Sequence, residues 1–137
     1  MKRYFLAAGL VFLSVMAFAS KIEDRGKVWL DEQKDPPAMN VSGSWIAPDW
    51  GILQLTQAEG SRDVTGQDNK YGLVGVVSGK RLFLLFHVDG NVKFCAVLNS
   101  DADNKLLSGT YSYRVTRLKF GHGLCQDKSY RMQMTKK

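Results

Sequence analysis

Arg81-Leu82-Phe83-Leu84-Leu85-Phe86-His87-Val88-Asp89-Gly90-Asn91-Val92-Lys93-Phe94-Cys95-Ala96-Val97-Leu98-Asn99 holds two strand-like runs joined by a two-residue turn. Asp-Gly suits a tight hairpin turn, whose two central positions both need positive φ. Side chains alternate across a strand, so Leu82, Leu84, Phe86 and Val88 share one face of the first run. Val92, Phe94, Ala96 and Leu98 share one face of the second. The spacing predicts an antiparallel hairpin. In its first strand the opposite face is apolar too, through Phe83 and Leu85. Two explanations stand for that face. The preceding segment covers it, through Trp29 or the apolar part of Val28–Leu30. Alternatively it meets a second copy of the chain or a protein partner, since clustered exposed apolar surface is unusual on a monomer.

Outward from this hairpin the same period of two continues. Eight runs rich in Val, Leu, Thr, Phe and Tyr are bounded by Gly, Asp, Asn and Ser. They are Val41–Ala47, Gly51–Ala58, Arg62–Gln67, Tyr71–Ser78, Arg81–Val88, Val92–Asn99, Leu106–Thr116 and Lys128–Thr135. In the seventh, Leu107, Tyr111, Tyr113 and Val115 oppose Ser108, Thr110, Ser112 and Arg114. In the eighth, Tyr130, Met132 and Met134 oppose Arg131 and Gln133. No stretch after residue 40 keeps a 3.6-residue apolar period. Sequential hairpins with one dry face and short connections would leave open edges unless the sheet closes. The expected fold is therefore all-β, an eight-stranded antiparallel up-and-down barrel over residues 41–137, with a two-sheet sandwich as the alternative. Composition agrees with one globular domain: 137 residues, 45% hydrophobic and 23% charged, with 13 glycines.

The start of the chain reads as an export address. Met1-Lys2-Arg3 is basic, Tyr4 to Ala19 is an apolar run interrupted by Gly9 and Ser14, and Ala17-Phe18-Ala19 offers small residues for cleavage before Ser20. That run falls short of the roughly 20 residues needed to span a bilayer. No cysteine stands directly after it, the two in the chain being Cys95 and Cys125, so a lipoprotein anchor is not expected. The expectation is a signal peptide over 1–19 and periplasmic or secreted delivery. Residues 20–40 form a polar leader, with a helical turn around Lys27–Leu30 and an extended path through Asp35-Pro36-Pro37. In an oxidising compartment Cys95 and Cys125 are expected to form one disulfide. It would stabilise by about 3 kcal/mol in the chain-entropy picture.

Asn40-Val41-Ser42-Gly43-Ser44-Trp45, Trp50-Gly51-Ile52-Leu53-Gln54-Leu55-Thr56-Gln57 and Val64-Thr65-Gly66 resemble the opening of a calycin-type barrel, the group of lipocalins, fatty-acid-binding proteins and avidins. Leu73-Val74-Gly75-Val76-Val77-Ser78-Gly79 and Leu107-Ser108-Gly109-Thr110-Tyr111 continue that cadence, so the likeness covers Val41 to Thr135. The Trp45 ring is suited to plug one end of a barrel. The lipocalin resemblance implies a basic residue of the last strand beside that tryptophan. By position this is Arg131, although alternation puts Arg131 opposite the apolar face. The avidin resemblance stops short of biotin: Ile46-Ala47-Pro48 follows Trp45, and all three tryptophans precede Gly51.

Catalytic motifs are absent. There is no Gly-x-Ser-x-Gly and no His-Glu-x-x-His. Gly79-Lys80-Arg81 is not a phosphate loop, and Asp101-Ala102-Asp103-Asn104-Lys105 lacks the sixth-position glycine of a calcium loop. His87 reads as a strand-edge residue, and His122 has no carboxylate or nucleophile placed beside it. Neither an enzyme nor a cofactor is expected. The net charge of +6 falls to +4 without Lys2 and Arg3. From Asn104 onward eight bases face one acid, Asp127, with Arg114, Arg117 and Lys119 clustered and Lys136-Lys137 closing the chain. Such asymmetry attracts anionic envelope surfaces; nucleic acid is disfavoured because no recognised binding motif is present. The expected role is a non-catalytic binding protein for a small apolar or amphipathic ligand. Its candidate barrel lining is Trp45, Leu84, Phe86, Phe94, Tyr111, Tyr113 and Met132. The alternative is an envelope interaction or inhibitor module acting through its surface. A cavity above roughly 300 Å³ favours the first reading, and a filled interior shifts weight to the surface.

Overall fold

A computed structural model describes residues 22–115, 123–126 and 128–137. The expected signal peptide lies outside them, as do Thr116, Arg117, Lys119, His122 and Asp127. Helix α1 (Asp24–Asp31) precedes strands β1 (Gly43–Ala47), β2 (Gly51–Gln57), β3 (Asp63–Gln67), β4 (Gly72–Ser78), β5 (Arg81–Val88), β6 (Asn91–Ser100), β7 (Leu106–Tyr113) and β8 (Tyr130–Lys136). All neighbours pair antiparallel in sequence order, and β8 returns to β1 through Trp45↔Lys136 and Ile46↔Thr135. The sheet is a closed eight-stranded up-and-down barrel, consistent with a calycin-like architecture. Closure leaves no unpaired edge of the kind the eight-run pattern threatened.

Alternation decides what fills it. Trp45, Leu53, Leu55, Val64, Leu73, Val77, Leu82, Leu84, Phe86, Ala96, Leu98, Leu107, Met132 and Met134 point inward and pack as one cluster, each at most 4% exposed. The barrel is therefore solid through its middle. Its closed end is sealed by Met39, Val41 and Trp45, whose indole N–H donates to the Val41 carbonyl at 2.9 Å. Buried Gln57 fixes this plug. Its side-chain oxygen accepts from the Val41 amide at 2.9 Å, and its side-chain nitrogen donates to the Met39 and Ser61 carbonyls. The ring of Trp45 does meet a basic residue of the last strand, but that residue is Lys136, with Nζ 5.9 Å from the ring centre. Arg131 is exposed, facing away from the interior as its place in the alternation requires.

Three inward glycines let strands approach closely. Gly66, Gly75 and Gly109 sit opposite Leu55, Leu84 and Leu98, and a Cβ at any of them would run into a backbone carbonyl of the neighbouring strand. Glycine at such places permits the tight coiling that a small barrel needs.

The second apolar face of β5 is covered from within the chain. Phe83 (9% exposed) and Leu85 (0%) lie in an outer cluster with Ile22, Leu30, Val76, Val92, Cys95 and Leu124. Trp29 meets Phe83 edge-on at 5.7 Å. Of the two explanations for that face, the leader is the one observed, and it removes Phe83 and Leu85 from the surface open to a partner. The helix is longer than the expected turn and starts at Asp24. An eight-residue helix is marginal by itself, so docking must supply its stability. Gly26 allows the close approach, since a Cβ there would fall 2.9 Å from Ile22 and 3.0 Å from Leu85. The leader then crosses to the far end of the barrel, where Ala38 donates to Gly79 at 2.8 Å and Pro37 bridges Gly79.

One assignment of faces is corrected. Val92 does not share the inward face of Phe94, Ala96 and Leu98. A β-bulge shifts the register between Phe86↔Phe94 and His87↔Val92, so one extra residue, Lys93, enters β6. An inserted residue reverses the alternation beyond it, and Val92 packs outward against the leader. Cys95 and Cys125 form the expected disulfide, with Cα atoms 6.2 Å apart, at the edge of this outer cluster.

Candidate functional site

The end of the barrel that carries the β1–β2, β3–β4 and β5–β6 turns is built differently from its sealed opposite. Seven aromatic side chains meet there: Trp50, Tyr71, Phe86, Phe94, Tyr111, Tyr113 and Tyr130. Phe86 forms the floor, fully buried. Trp50 stands on it at 4.6 Å and touches Phe94 and Tyr111 at 5.1 Å each. Tyr71 closes one side, 5.5 Å from Phe94. Tyr111 stacks on Tyr130 at 5.4 Å, and Tyr113 reaches Phe94 at 5.0 Å. At the rim Tyr113 and Tyr130 remain 44% and 36% exposed.

Local turn chemistry places Trp50, which lies between strands, and helps to fix Tyr71, which alternation already sets on the inward side with Leu73. Trp50 follows Pro48-Asp49, and its amide donates to the Ala47 carbonyl at 3.1 Å. Asp49 has φ 71°. Proline followed by a positive-φ residue inside an i→i+3 bond is the signature of a type II turn. This turn delivers Trp50 over the barrel mouth. On the β3–β4 side, one Asp68 carboxylate oxygen accepts from the amides of Lys70 (2.8 Å) and Tyr71 (2.6 Å). The Asp68 amide in turn donates to the Tyr71 carbonyl. An Asx-type turn of this sort fixes the chain two to three residues on, and here it fixes Tyr71.

Two open recesses flank Trp50. One, about 270 Å³, is lined by Asp49, Trp50, Asp68, Asn69, Lys70, Tyr71, Phe94 and Tyr111. The other, about 500 Å³, takes in Asp49, Trp50, Tyr111 and Met132 together with Arg131 and Gln133 from the outer side of β8. Burial pushes the Tyr111 hydroxyl above the usual phenol range, and Tyr113, Tyr130 and Asp49 add to that effect. Tyr111 is thus a neutral hydrogen-bonding group at any physiological pH.

The sequence-derived lining divides between two places. Trp45, Leu84, Phe86 and Met132 belong to the buried interior, and Phe94 and Tyr111 are half-buried in the mouth. Tyr113 stands at the rim. Sequence reasoning missed Trp50, Tyr71 and Tyr130 as members of the same cluster. The signal for Trp50 was the Pro48-Asp49 turn, whereas Tyr71 and Tyr130 lie by alternation on the inward faces of Leu73 and of Met132 and Met134.

Among the described residues no group of three or more His, Cys, Asp or Glu is arranged to hold a metal ion, and no helix is long and apolar enough to cross a membrane. Of the described bases of the C-terminal third, Lys105, Lys136 and Lys137 lie together at the closed end, where the Lys136 amide donates to the Lys105 carbonyl and the Lys137 amide to the Ser44 carbonyl. Comparison with family models, with curated proteins and with solved structures returns no match for this chain.

Proposed function

We propose that this chain is an exported, non-catalytic binding protein of the lipocalin-like kind, which seats a small amphipathic molecule on the aromatic mouth of its barrel. The observation that carries the reading is the contiguous set of seven aromatic rings at one end, running from buried Phe86 to exposed Tyr113 and Tyr130 and bordered by Asp49, Asp68, Asn69 and Lys70. Ligand sites combine apolar and aromatic walls with a few polar groups that set orientation. The filled interior below Phe86 weighs against a ligand inside the barrel, as the criterion set from the sequence requires, so the reading is confined to the mouth, where the ligand is held without entering. Export is supported by the basic start, the apolar run and Ala17-Phe18-Ala19, and by a disulfide that suits an oxidising compartment.

Native purification followed by solvent extraction and mass spectrometry tests this reading, with the Trp50→Ala/Tyr111→Ala variant as control. One small molecule retained in near-stoichiometric amount by the natural protein, and lost from a variant with unchanged circular dichroism, is the expected result. Protein that elutes empty from its native source, or a variant that keeps the molecule, overturns it in favour of recognition of another protein through the surface.

A further inference from the structure

We infer that the smaller mouth recess, between Trp50, Tyr71, Phe94 and Tyr111, takes a quaternary ammonium head group. The inference rests on the reading of the mouth as the ligand site and names the chemistry it selects. Its first support is ring orientation. Trp50 meets Phe94 at 90° and Tyr111 at 85°, and Tyr71 meets Phe94 at 84°. Edge-to-face packing of this kind covers one ring's face with its neighbour's edge, and Trp50 and Tyr71, tilted at 53° with centres 6.2 Å apart, both line the recess. The four rings lie in several planes and do not form the single flat platform on which a sugar or planar ring would lie. A cation within about 6 Å of such ring centres is attracted by their quadrupoles, and quaternary ammonium groups are recognised in this way.

Charge and size agree. Two carboxylates, Asp49 and Asp68, line the recess against one base, Lys70, and its volume of about 270 Å³ is ample for a trimethylammonium group. The chain's own lysines already use the faces of this cluster. Lys70 Nζ lies 5.5 Å from the centre of the Tyr71 ring, and Lys128 Nζ lies 5.6 Å from that of Tyr130. A lysine ammonium carries three donors and a tight hydration shell. A quaternary ammonium has no N–H to satisfy and gives up less hydration on entering a site walled by rings, so it is the better occupant of the same place.

The test compares choline with 3,3-dimethylbutan-1-ol, its uncharged isostere, on the unmodified protein by calorimetry and tryptophan fluorescence. Choline is expected to bind about tenfold more tightly than the isostere. Tyr71→Leu is expected to weaken choline by about the same factor, and Lys70→Met, which removes the resident ammonium, to tighten it. Equal affinity for the two probes, no choline binding at millimolar concentration, or weakening by Lys70→Met overturns the inference. The broader reading survives that failure if extraction still yields a bound neutral amphiphile. Sedimentation with phosphatidylcholine vesicles, reversed by choline, would assign the head group to a lipid. Choline binding without sedimentation would assign it to a free solute, and either result supports the site.

Discussion

Arg114 and Glu23, separated by 91 residues of sequence, form an ion pair at 2.8 Å. Both Nε and Nη2 of Arg114 donate to one carboxylate oxygen of Glu23, while the other accepts from the Val92 amide at 3.0 Å. One carboxylate thus joins the leader, the end of β7 and the bulged start of β6. Burial alone would raise the Glu23 pKa, but the Arg114 hydrogen bond, the Val92 amide and the charges of Arg114 and Arg25 outweigh it and hold the carboxyl below its ordinary 4.5. Because the folded pKa is depressed, the stabilisation is complete above pH 4.5 and is lost as pH falls through the lowered value. Glu23→Gln is expected to destabilise by about 1 kcal/mol at pH 7 in urea titrations. The gap from the natural protein should narrow as pH falls below 4.5 and through the lowered value, and a constant gap would contradict this account.

His87 supplies a second pH response in a different window. Its Nδ1 accepts from the Gly90 amide at 3.1 Å, and the Gly90 carbonyl accepts from the Glu23 amide at 3.0 Å. That acceptor role requires the neutral ring. Burial lowers the His87 pKa from 6.5, with Asp89 opposing. The unfolded chain therefore binds the proton first, and stability should fall as pH drops below 6.5 toward the folded value. The slope is at most about 1.4 kcal/mol per pH unit for one proton. Thermal unfolding between pH 7.5 and 5.5 should show it, and His87→Asn should flatten it. A natural protein equally stable across that range would exclude the mechanism.

The leader is expected to be part of the folded unit. Leu30→Ala removes a side chain that is 6% exposed from the outer cluster, which should lower stability by about 2–3 kcal/mol. It should also raise the fluorescence of an apolar dye as the Phe83/Leu85 face opens. Unchanged stability together with no added dye binding would show that the helix does not seal this face.

Close approach at the inward glycines yields a sharp comparison. Gly109→Ala places a methyl group against the Val97 carbonyl, whereas a Cβ at Gly123 meets no atom of the described residues within 4 Å. The first substitution should destabilise by about 1–3 kcal/mol through overpacking. The second should fall within about 0.5 kcal/mol of the natural protein. Equal effects in denaturant titrations would refute the claim that strand approach excludes a side chain at residue 109.

Alternation along the chain was enough to recover all eight strands, their order and most of the inward faces. A period of two encodes which side is dry, and short turns leave neighbouring strands little choice but to pair. Val92 escaped that logic because a bulge depends on how two strands meet, and neither strand alone records the extra residue at Lys93. Lys136 was likewise hidden as the basic partner of Trp45, since their pairing exists only once β8 closes on β1.

By itself, then, the order of amino acids determined an all-β chain with a dry inner face, a turn at Asp89-Gly90 and two cysteines able to pair. Only the tertiary structure decided that the interior is filled, that the leader hides Phe83 and Leu85, and that seven aromatic rings gather at one end. Local patterns specify the face on which a side chain lies. Which faces converge depends on closure of the barrel, which brings Trp50 and Tyr111, 61 positions apart, within 5.1 Å.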